Sequence, residues 1–162
     1  MKTLEQILIS RGELEKIYRG HTGLHIWRGL GKDDQRGNPL YPDIDPRTLP
    51  SGDIRDPDVE KELIDGVWIV KAKVGMGTST VDKEGIFGHK KWQYNIIPKG
   101  VVIPSQLIIT KDFYMSRKKC WHYSISPNYD MPLDDYFKAL DQLAINAGIK
   151  IRSLRNARNR KW

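Results

Sequence analysis

Apolar and polar residues alternate in several short stretches of the chain, which is the pattern of β-strands with one buried face. The longest stretch begins at Trp68, continues with an apolar residue at every second position to Val74, and stops at Gly75-Met76-Gly77. We therefore expect Trp68 and Val74 on the buried face of a strand. The complete set of predicted strands is 23–29, 68–74, 92–96, 107–110 and 121–125.

Other segments have the spacing of amphipathic helices. Thr3 and Gln6 have the spacing of a capping box, so a short helix is predicted there, and the same cue at residues 10–13 precedes Leu14. Near the end of the chain, residues 134–146 predict a second helix, and Gly148 is expected to terminate it. Its apolar face consists of Phe137, Leu140, Ala144 and Ala147.

Residues 31–57 contain five prolines together with many Asp and Gly, which excludes a helix or an inner strand. A loop of this length is either a functional lid or binding loop, or partly disordered. The elements around it predict an α+β fold with a mainly antiparallel sheet of short strands. The length of 162 residues predicts one domain covering 1–162.

The net charge of +7 is unevenly distributed. Residues 1–65 hold 10 Lys and Arg against 13 Asp and Glu, a charge of −3, whereas residues 66–162 hold 17 against 7, a charge of +10. The last segment, 150–162, has six basic residues and no acid, with Arg152, Arg155 and Arg158 spaced to line one helical face. This half is expected to attract a polyanion, whether nucleic acid, an acidic protein or a phosphorylated cofactor.

Several protein classes are not supported by the sequence. The longest apolar runs are too short to cross a bilayer, and the N-terminus lacks the apolar stretch of a Sec signal peptide. A single cysteine, Cys120, excludes an internal disulfide framework and is interpreted as a structural thiol. The four histidines lack zinc-ligand spacing, so no metal site is predicted.

Two kinds of pattern could carry chemistry. In Gly75–Thr80, hydroxyl side chains follow two glycines, which suits contact with a phosphate, ribose or amide, although an ordinary glycine turn explains the pattern too. Aromatic and basic residues interleave at 90–94 and 117–123, where they would suit stacking on bases beside phosphates. Alternating buried aromatics and solvated lysines explain the same pattern. His122 is either a polar group opening into a cleft or a core or edge histidine.

Taken in order, these segments resemble the ADP-ribosyltransferase-fold toxins typified by the second Tse effector of bacterial type VI secretion. The resemblance covers the second half of the chain and includes the arginine-rich end. The matching residues are Gly77-Thr78-Ser79, Asp82, Gly85, Ile97-Pro98-Lys99-Gly100, Ile103-Pro104, Lys111-Asp112, Tyr114, His122-Tyr123-Ser124-Ile125 and 127–131.

The resemblance implies a split, mainly antiparallel β-sheet with flanking helices, gripping NAD as a substrate in its central cleft. An arginine of the first strand would hold the dinucleotide phosphates, either Arg28 or, in the similar run at 17–20, Arg19, and we prefer Arg28. Thr78 and Ser79 would line the nicotinamide-ribose side as catalytic residues. Many ADP-ribosyltransferases carry a late glutamate, which this chain lacks after Glu84, and the chain is similar to these toxins in that absence. The nearest substitute is a third catalytic residue, Asp112. The resemblance places His122 and Tyr123 as cofactor-binding walls of the pocket.

The predicted function is that of a bacterial toxin, cytoplasmic in its producer, which acts in the cytoplasm of a target cell by ADP-ribosyl transfer or NAD cleavage. Its expected partners are a cognate immunity protein or antitoxin of acidic character and an unidentified macromolecular target, with no membrane; nucleic acid is the less favoured partner. One alternative is a ribonuclease-type toxin, suggested by the basic half, the interleaved aromatics and His122. Another is a nonenzymatic nucleic-acid-binding module led by residues 150–161.

Overall fold

The computed structural model describes residues 2–13 and 17–159. Leu14 and the last residues of the basic tail, 160–162, lie outside the described residues. The described chain forms two helices and eleven strands: α1 Leu4–Ser10, β1 Ile17–Tyr18, β2 Ile26–Gly31, β3 Arg47–Thr48, β4 Ile54–Arg55, β5 Lys61–Ile64, β6 Val67–Val70, β7 Thr78–Val81, β8 Trp92–Ile97, β9 Leu107–Met115, β10 Cys120–Pro127, β11 Met131–Pro132 and α2 Leu133–Asn159.

A six-stranded antiparallel sheet with the order β1-β9-β10-β7-β2-β8 forms the centre of the molecule. β9 and β10 pair along most of their length, and so do β2 and β8. The middle of the sheet is different, because β2 and β7 share a single register pair, Trp27 with Val81. The sheet is thus split at this point. The predicted α+β class with a split, mainly antiparallel sheet and flanking helices is confirmed.

The two helices cover opposite faces of this sheet. Leu107 and Ile109 belong to the main core with Tyr136, Leu140 and other residues of α2. Ile108 lies between them in β9, so its side chain points to the other face, where it packs in a second cluster with Leu4 and Leu8 of α1. The burial of both faces explains why β10 is buried at every position from Tyr123 to Pro127.

The start of α1 agrees with the sequence prediction. The Thr3 hydroxyl accepts a hydrogen bond from the Gln6 backbone N–H at 3.1 Å, and the Gln6 side chain accepts one from the Thr3 N–H at 2.9 Å. The predicted end of the second helix is wrong, because α2 continues through Gly148 to Asn159. An interior glycine costs a helix only about 1 kcal/mol, which the flanking residues offset. Arg152, Arg155 and Arg158 are exposed along this extension.

The predicted strand 68–74 is also wrong in extent and burial. It ends at Val70, and it pairs with Lys61–Ile64 and Met131–Pro132 in a separate three-stranded sheet. Trp68 is 44% exposed, because only the Val70 end of this small sheet touches the main core. Val74 lies beyond the end of the strand and is 45% exposed. The turn between β5 and β6 of this small sheet, Asp65-Gly66, has positive φ at both residues, which is the geometry of a tight hairpin.

Two further segments complete the comparison with the sequence. Thr78–Val81 is an inner strand, where the sequence suggested a turn bearing hydroxyls. The long loop predicted at 31–57 is present after Gly31, the last residue of β2, and its regular structure in the described chain is the short hairpin β3-β4. Neither helix in the described part of the chain has the length and hydropathy needed to cross a membrane.

Two glycine substitutions are expected to have opposite effects on stability. A Cβ at Gly77 would overlap the Ile125 carbonyl and lie 2.8 Å from the Ser126 Cα, so Gly77→Ala should destabilise the protein by about 3 kcal/mol. At Gly148 the nearest atom is the end of the Arg152 side chain at 3.7 Å, so Gly148→Ala should stabilise α2 by about 1 kcal/mol. Urea unfolding of both variants measures these effects. A loss of stability in Gly148→Ala would contradict the continuous helix.

Candidate active site

The split in the central sheet opens into a cleft of about 810 Å³, a size typical of small-molecule sites. Its walls come from β2, β7, β8, the segment 86–87 and the loop 33–55, and His122 of β10 closes one end. Because β2 and β7 share only one register pair, the backbones beyond it leave room for a ligand between two halves of one sheet.

Arg28, the residue preferred for phosphate binding, lines this cleft and is 5% exposed. Its guanidinium donates to three carbonyl oxygens: Pro39 at 3.1 Å, Tyr41 at 3.2 Å and Ser79 at 3.2 Å. Burial lowers the pKa of Arg28. The side chain thus ties the long loop and β7 to β2, and its remaining N–H groups are available to a ligand.

Arg19, the alternative to Arg28, lies at the edge of the sheet. Its side chain is 62% exposed and pairs with Glu5 at 2.9 Å, outside the residues that line the cleft. Of the two arginines that the sequence left open, Arg28 is therefore the one that the fold places in the cleft.

The long loop brings three more arginines to the cleft, and the sequence analysis missed all of them. Arg36 donates to Asp34 at 2.7 Å and to Asp43 at 2.8 Å. The hydrogen bonds from Arg36 hold the pKa of Asp34 below its usual range. Arg55 pairs with Asp43 as well. The signal was present in the sequence as three arginines among the six aspartates of a proline-rich loop.

Arg47 is the least constrained of these arginines. It lies directly opposite Arg55 in the β3-β4 hairpin, an arrangement of like charges that is unfavourable without a counter-charge. Its closest carboxylates, on Asp34 and Asp43, are both 3.9 Å away, and half of its side chain is exposed. Its guanidinium can therefore turn toward an anion in the cleft.

At the His122 end of the cleft, three predicted site residues form one hydrogen-bonded chain. Ser79 Oγ lies 2.6 Å from His122 Nε2, and His122 Nδ1 lies 2.9 Å from Asp112 Oδ2. A carboxylate oxygen can only accept, so Nδ1 carries the proton, and Nε2 of the neutral ring accepts from Ser79. The arrangement is that of a hydroxyl, a base and an acid that orients the base.

Asp112 is held from several sides. Its carboxylate also accepts hydrogen bonds from Thr110 and Ser124, each at 2.7 Å, and its side chain is 6% exposed. Phe113 stacks on the His122 ring with 4.6 Å between ring centroids and an interplanar angle of 5°. The imidazole is thus fixed by hydrogen bonds at both nitrogens and by an aromatic ring on one face.

The register of the strands explains this convergence. Ser79 lies opposite Ser124 in the β7-β10 pair, so Ser79 and His122 point to the same face of the sheet. In the β9-β10 pair, His122 lies opposite Phe113 and Tyr123 lies opposite Lys111, which leaves Asp112 as the extra residue of a β-bulge. A bulge re-aims side chains, and here the Asp112 carboxylate is brought to His122 while Phe113 keeps its place beside the ring.

Asp112 lies behind His122 and does not line the cleft itself. The remaining two predicted site residues, Thr78 and Tyr123, also lie outside the cleft lining. Thr78 is buried and donates to the Leu40 carbonyl at 2.5 Å. Tyr123 is buried in the main core, stacked on Tyr18, and burial raises its pKa. Both follow from strand alternation, because their neighbours in sequence, Ser79 and His122, face the cleft.

Most of the chain matches one known protein family. A model of the Tse2 ADP-ribosyltransferase toxin family matches residues 6–150. The chain belongs to this family. It is a toxin of ADP-ribosyltransferase type, a class of transferases that use NAD as a substrate. No curated protein matches the chain.

Within the family fold, Arg28 is expected to be a structural requirement of the cleft. Arg28→Lys keeps the charge but cannot reach three carbonyls, so it should destabilise the protein by about 3 kcal/mol and lower Tm by about 6 °C or more. The matched control is Arg47→Lys, which should change stability by less than about 0.5 kcal/mol because Arg47 is half-exposed and loosely paired. Thermal unfolding measures both; equal effects would show that Arg28 does not hold the cleft together.

Proposed function

We propose that this toxin binds NAD in the cleft and cleaves its nicotinamide glycosidic bond, passing ADP-ribose to a macromolecular target or to water. The observation that carries the proposal is the Ser79-His122-Asp112 chain at the end of the cleft, in a member of an ADP-ribosyltransferase toxin family. In this proposal the toxin acts in the cytoplasm of a target bacterium, and an immunity protein or antitoxin protects the producer.

The charges and rings of the cleft fit a dinucleotide. Arg47 and the free N–H groups of Arg28 offer donors to the pyrophosphate, and guanidinium groups suit this role because they bind phosphate oxygens in pairs. Trp92 and Phe87, whose ring centroids are 4.6 Å apart, line the same cleft and offer apolar surface to a base. The hydroxyl of Ser79 and the ring of His122 lie at the other end.

The chain Ser79-His122-Asp112 can move a proton. When bound, NAD supplies a glycosidic bond whose electron pair leaves with nicotinamide. As the acceptor hydroxyl, amine or water bonds to the ribose carbon, it gives its proton to Ser79 Oγ. His122 Nε2 takes the proton that Ser79 Oγ gives up. Asp112 stabilises the imidazolium that results and keeps the ring in its reactive tautomer.

This arrangement offers a reason for the missing glutamate. In many related enzymes a late glutamate stabilises the developing positive charge, and this chain has no Glu after Glu84. Here the carboxylate of Asp112 offsets the positive charge that His122 gains with the proton. The carboxylate therefore acts through the base.

The partner that neutralises the toxin is expected to be acidic. Residues 66–162 carry a charge of +10, and opposite charges accelerate association of protein pairs. Candidates are the products of adjoining reading frames, and their association with the purified toxin should slow as salt concentration rises. Association at a salt-independent rate would contradict a charge-driven encounter.

The first test of the proposal is the reaction itself. Purified protein is incubated with NAD labelled in nicotinamide, and free nicotinamide is separated by chromatography. Binding is followed independently through the fluorescence of Trp27 and Trp92, which line the cleft. Release of nicotinamide supports the proposal. A folded protein that neither binds NAD nor releases nicotinamide would refute it.

Arg47→Ala should weaken NAD binding without slowing the chemical step. Loss of a charged hydrogen bond to phosphate corresponds to roughly a tenfold increase in KM for NAD, with kcat unchanged. Lys61→Ala is the matched control, since Lys61 pairs with Asp45 outside the cleft lining. Steady-state kinetics distinguish the two, and an unchanged KM in Arg47→Ala would remove this residue from the binding site.

Asp112→Asn should have the opposite kinetic effect. An amide in place of the carboxylate cannot hold the required tautomer, so kcat should fall by about 10²–10⁴-fold while KM for NAD stays unchanged. Ser79→Ala should also lower kcat. As controls, Thr110→Val removes a different donor to Asp112, and Thr78→Val removes the neighbouring hydroxyl in the core; both should keep kcat close to wild type. Wild-type kcat in folded Asp112→Asn would exclude the proton chain.

A further inference from the structure

Two adjacent segments beside the cleft, residues 83–91 and 113–119, are called here the basic rim. They hold six Lys and Arg and one Glu, a formal charge of +5. Among the described residues, no Lys or Arg of the rim lies within ion-pair distance of a carboxylate. By contrast, the three arginines that the long loop brings to the cleft, Arg36, Arg47 and Arg55, each pair with an aspartate.

Direct contacts join the two segments into one surface. Lys83 donates to the Lys118 carbonyl at 3.3 Å, and the Lys118 ammonium lies 5.5 Å from the centre of the Phe87 ring. Phe87 and Met115, one from each segment, both line the cleft. The unpaired charges of the rim are therefore next to the opening through which an acceptor reaches His122.

The rim also exposes aromatic rings at this opening. Phe87 is 44% exposed, and Phe113, which stacks on the reactive His122, is 53% exposed. Exposed rings surrounded by cations suit a ligand with both flat bases and phosphates, since bases stack on rings while phosphates contact Lys and Arg. Acidic side chains alone would satisfy the charges but would not stack on the rings.

Building on the proposed function, we infer that the acceptor is a single-stranded nucleic acid, held by the basic rim with an unpaired nucleotide at His122. In this step the bond between nicotinamide and the ribose carbon breaks, and its electron pair leaves with nicotinamide. A bond forms between that carbon and an oxygen or nitrogen of the nucleotide, whose proton passes through Ser79 to His122.

The test follows label from NAD carrying ³²P in its adenylate phosphate into cell extract. Separate reactions receive single-stranded RNA, single-stranded DNA, duplex DNA or protein from the extract. We expect label in material that nuclease degrades and protease does not. The reactions with single-stranded RNA and single-stranded DNA identify which nucleic acid is the acceptor. Label in protein alone, or RNA cut without label, would overturn the inference.

Charge reversal locates the surface. Arg117→Glu/Lys90→Glu alters one exposed residue in each segment, neither of which lines the cleft. Transfer to the nucleic acid should fall at least tenfold, and the slope of log affinity against log salt should become shallower by about 1.4, or 0.7 per lost phosphate contact. Release of nicotinamide to water should be unchanged. The matched control is Arg152→Glu/Arg155→Glu on α2, with the same change in charge and an expected effect below twofold.

These measurements separate the two proposals. If wild-type protein releases no nicotinamide, the proposed NAD chemistry fails and this inference fails with it. If nicotinamide is released but Arg117→Glu/Lys90→Glu transfers label like wild type, or the α2 control loses transfer equally, only the inference about the rim is overturned.

Discussion

The guanidinium of Arg28 is the interaction on which the cleft depends. It lies in β2, where the central sheet is split, and it donates to carbonyls of Pro39 and Tyr41 in the long loop and of Ser79 in β7. A buried charged donor needs hydrogen-bond acceptors around it, and these three carbonyls supply them. They lie where the strands β2 and β7 no longer pair. One side chain thereby replaces the missing ladder between β2 and β7, while the space beside it stays open.

The same constraint reaches the His122 end of the cleft through Ser79. The carbonyl of Ser79 is fixed by Arg28, and its hydroxyl is fixed by His122. His122 and Asp112 lie on two strands paired to each other in the middle of the sheet, and a bulge at Asp112 completes the chain of hydrogen bonds. Groups placed on paired strands hold their geometry better than groups on loops. The hydrogen-bonded chain of Ser79, His122 and Asp112 is therefore held by paired strands, whereas the wall that carries Arg36, Arg47 and Arg55 is built on the long loop.

The sequence was sufficient for the class of fold, the start of α1 and the loop at 31–57, because each depends on local patterns. It failed where tertiary contacts decide: α2 passes Gly148, and Trp68 lies in a separate small sheet. Some signals were overlooked, including the Asp65-Gly66 turn of a tight hairpin. Recognition of Thr78–Val81 as a strand would have separated Thr78 from Ser79 by alternation. The bulge at Asp112 was beyond prediction, since a shift in register has no signature in one strand alone.

The two sides of the cleft treat charge in different ways, and the difference bears on how the toxin works. On the loop side Arg36, Arg47 and Arg55 each have an aspartate within 4.0 Å, so that wall is close to neutral before any ligand arrives. On the other side the basic rim keeps its charges unpaired, and their mutual repulsion destabilises the free protein. A polyanion relieves that repulsion, whether it is the acceptor or an acidic inhibitor. An acidic antidote that covered the rim would therefore compete directly with a nucleic-acid acceptor, and it would neutralise the toxin without entering the cleft.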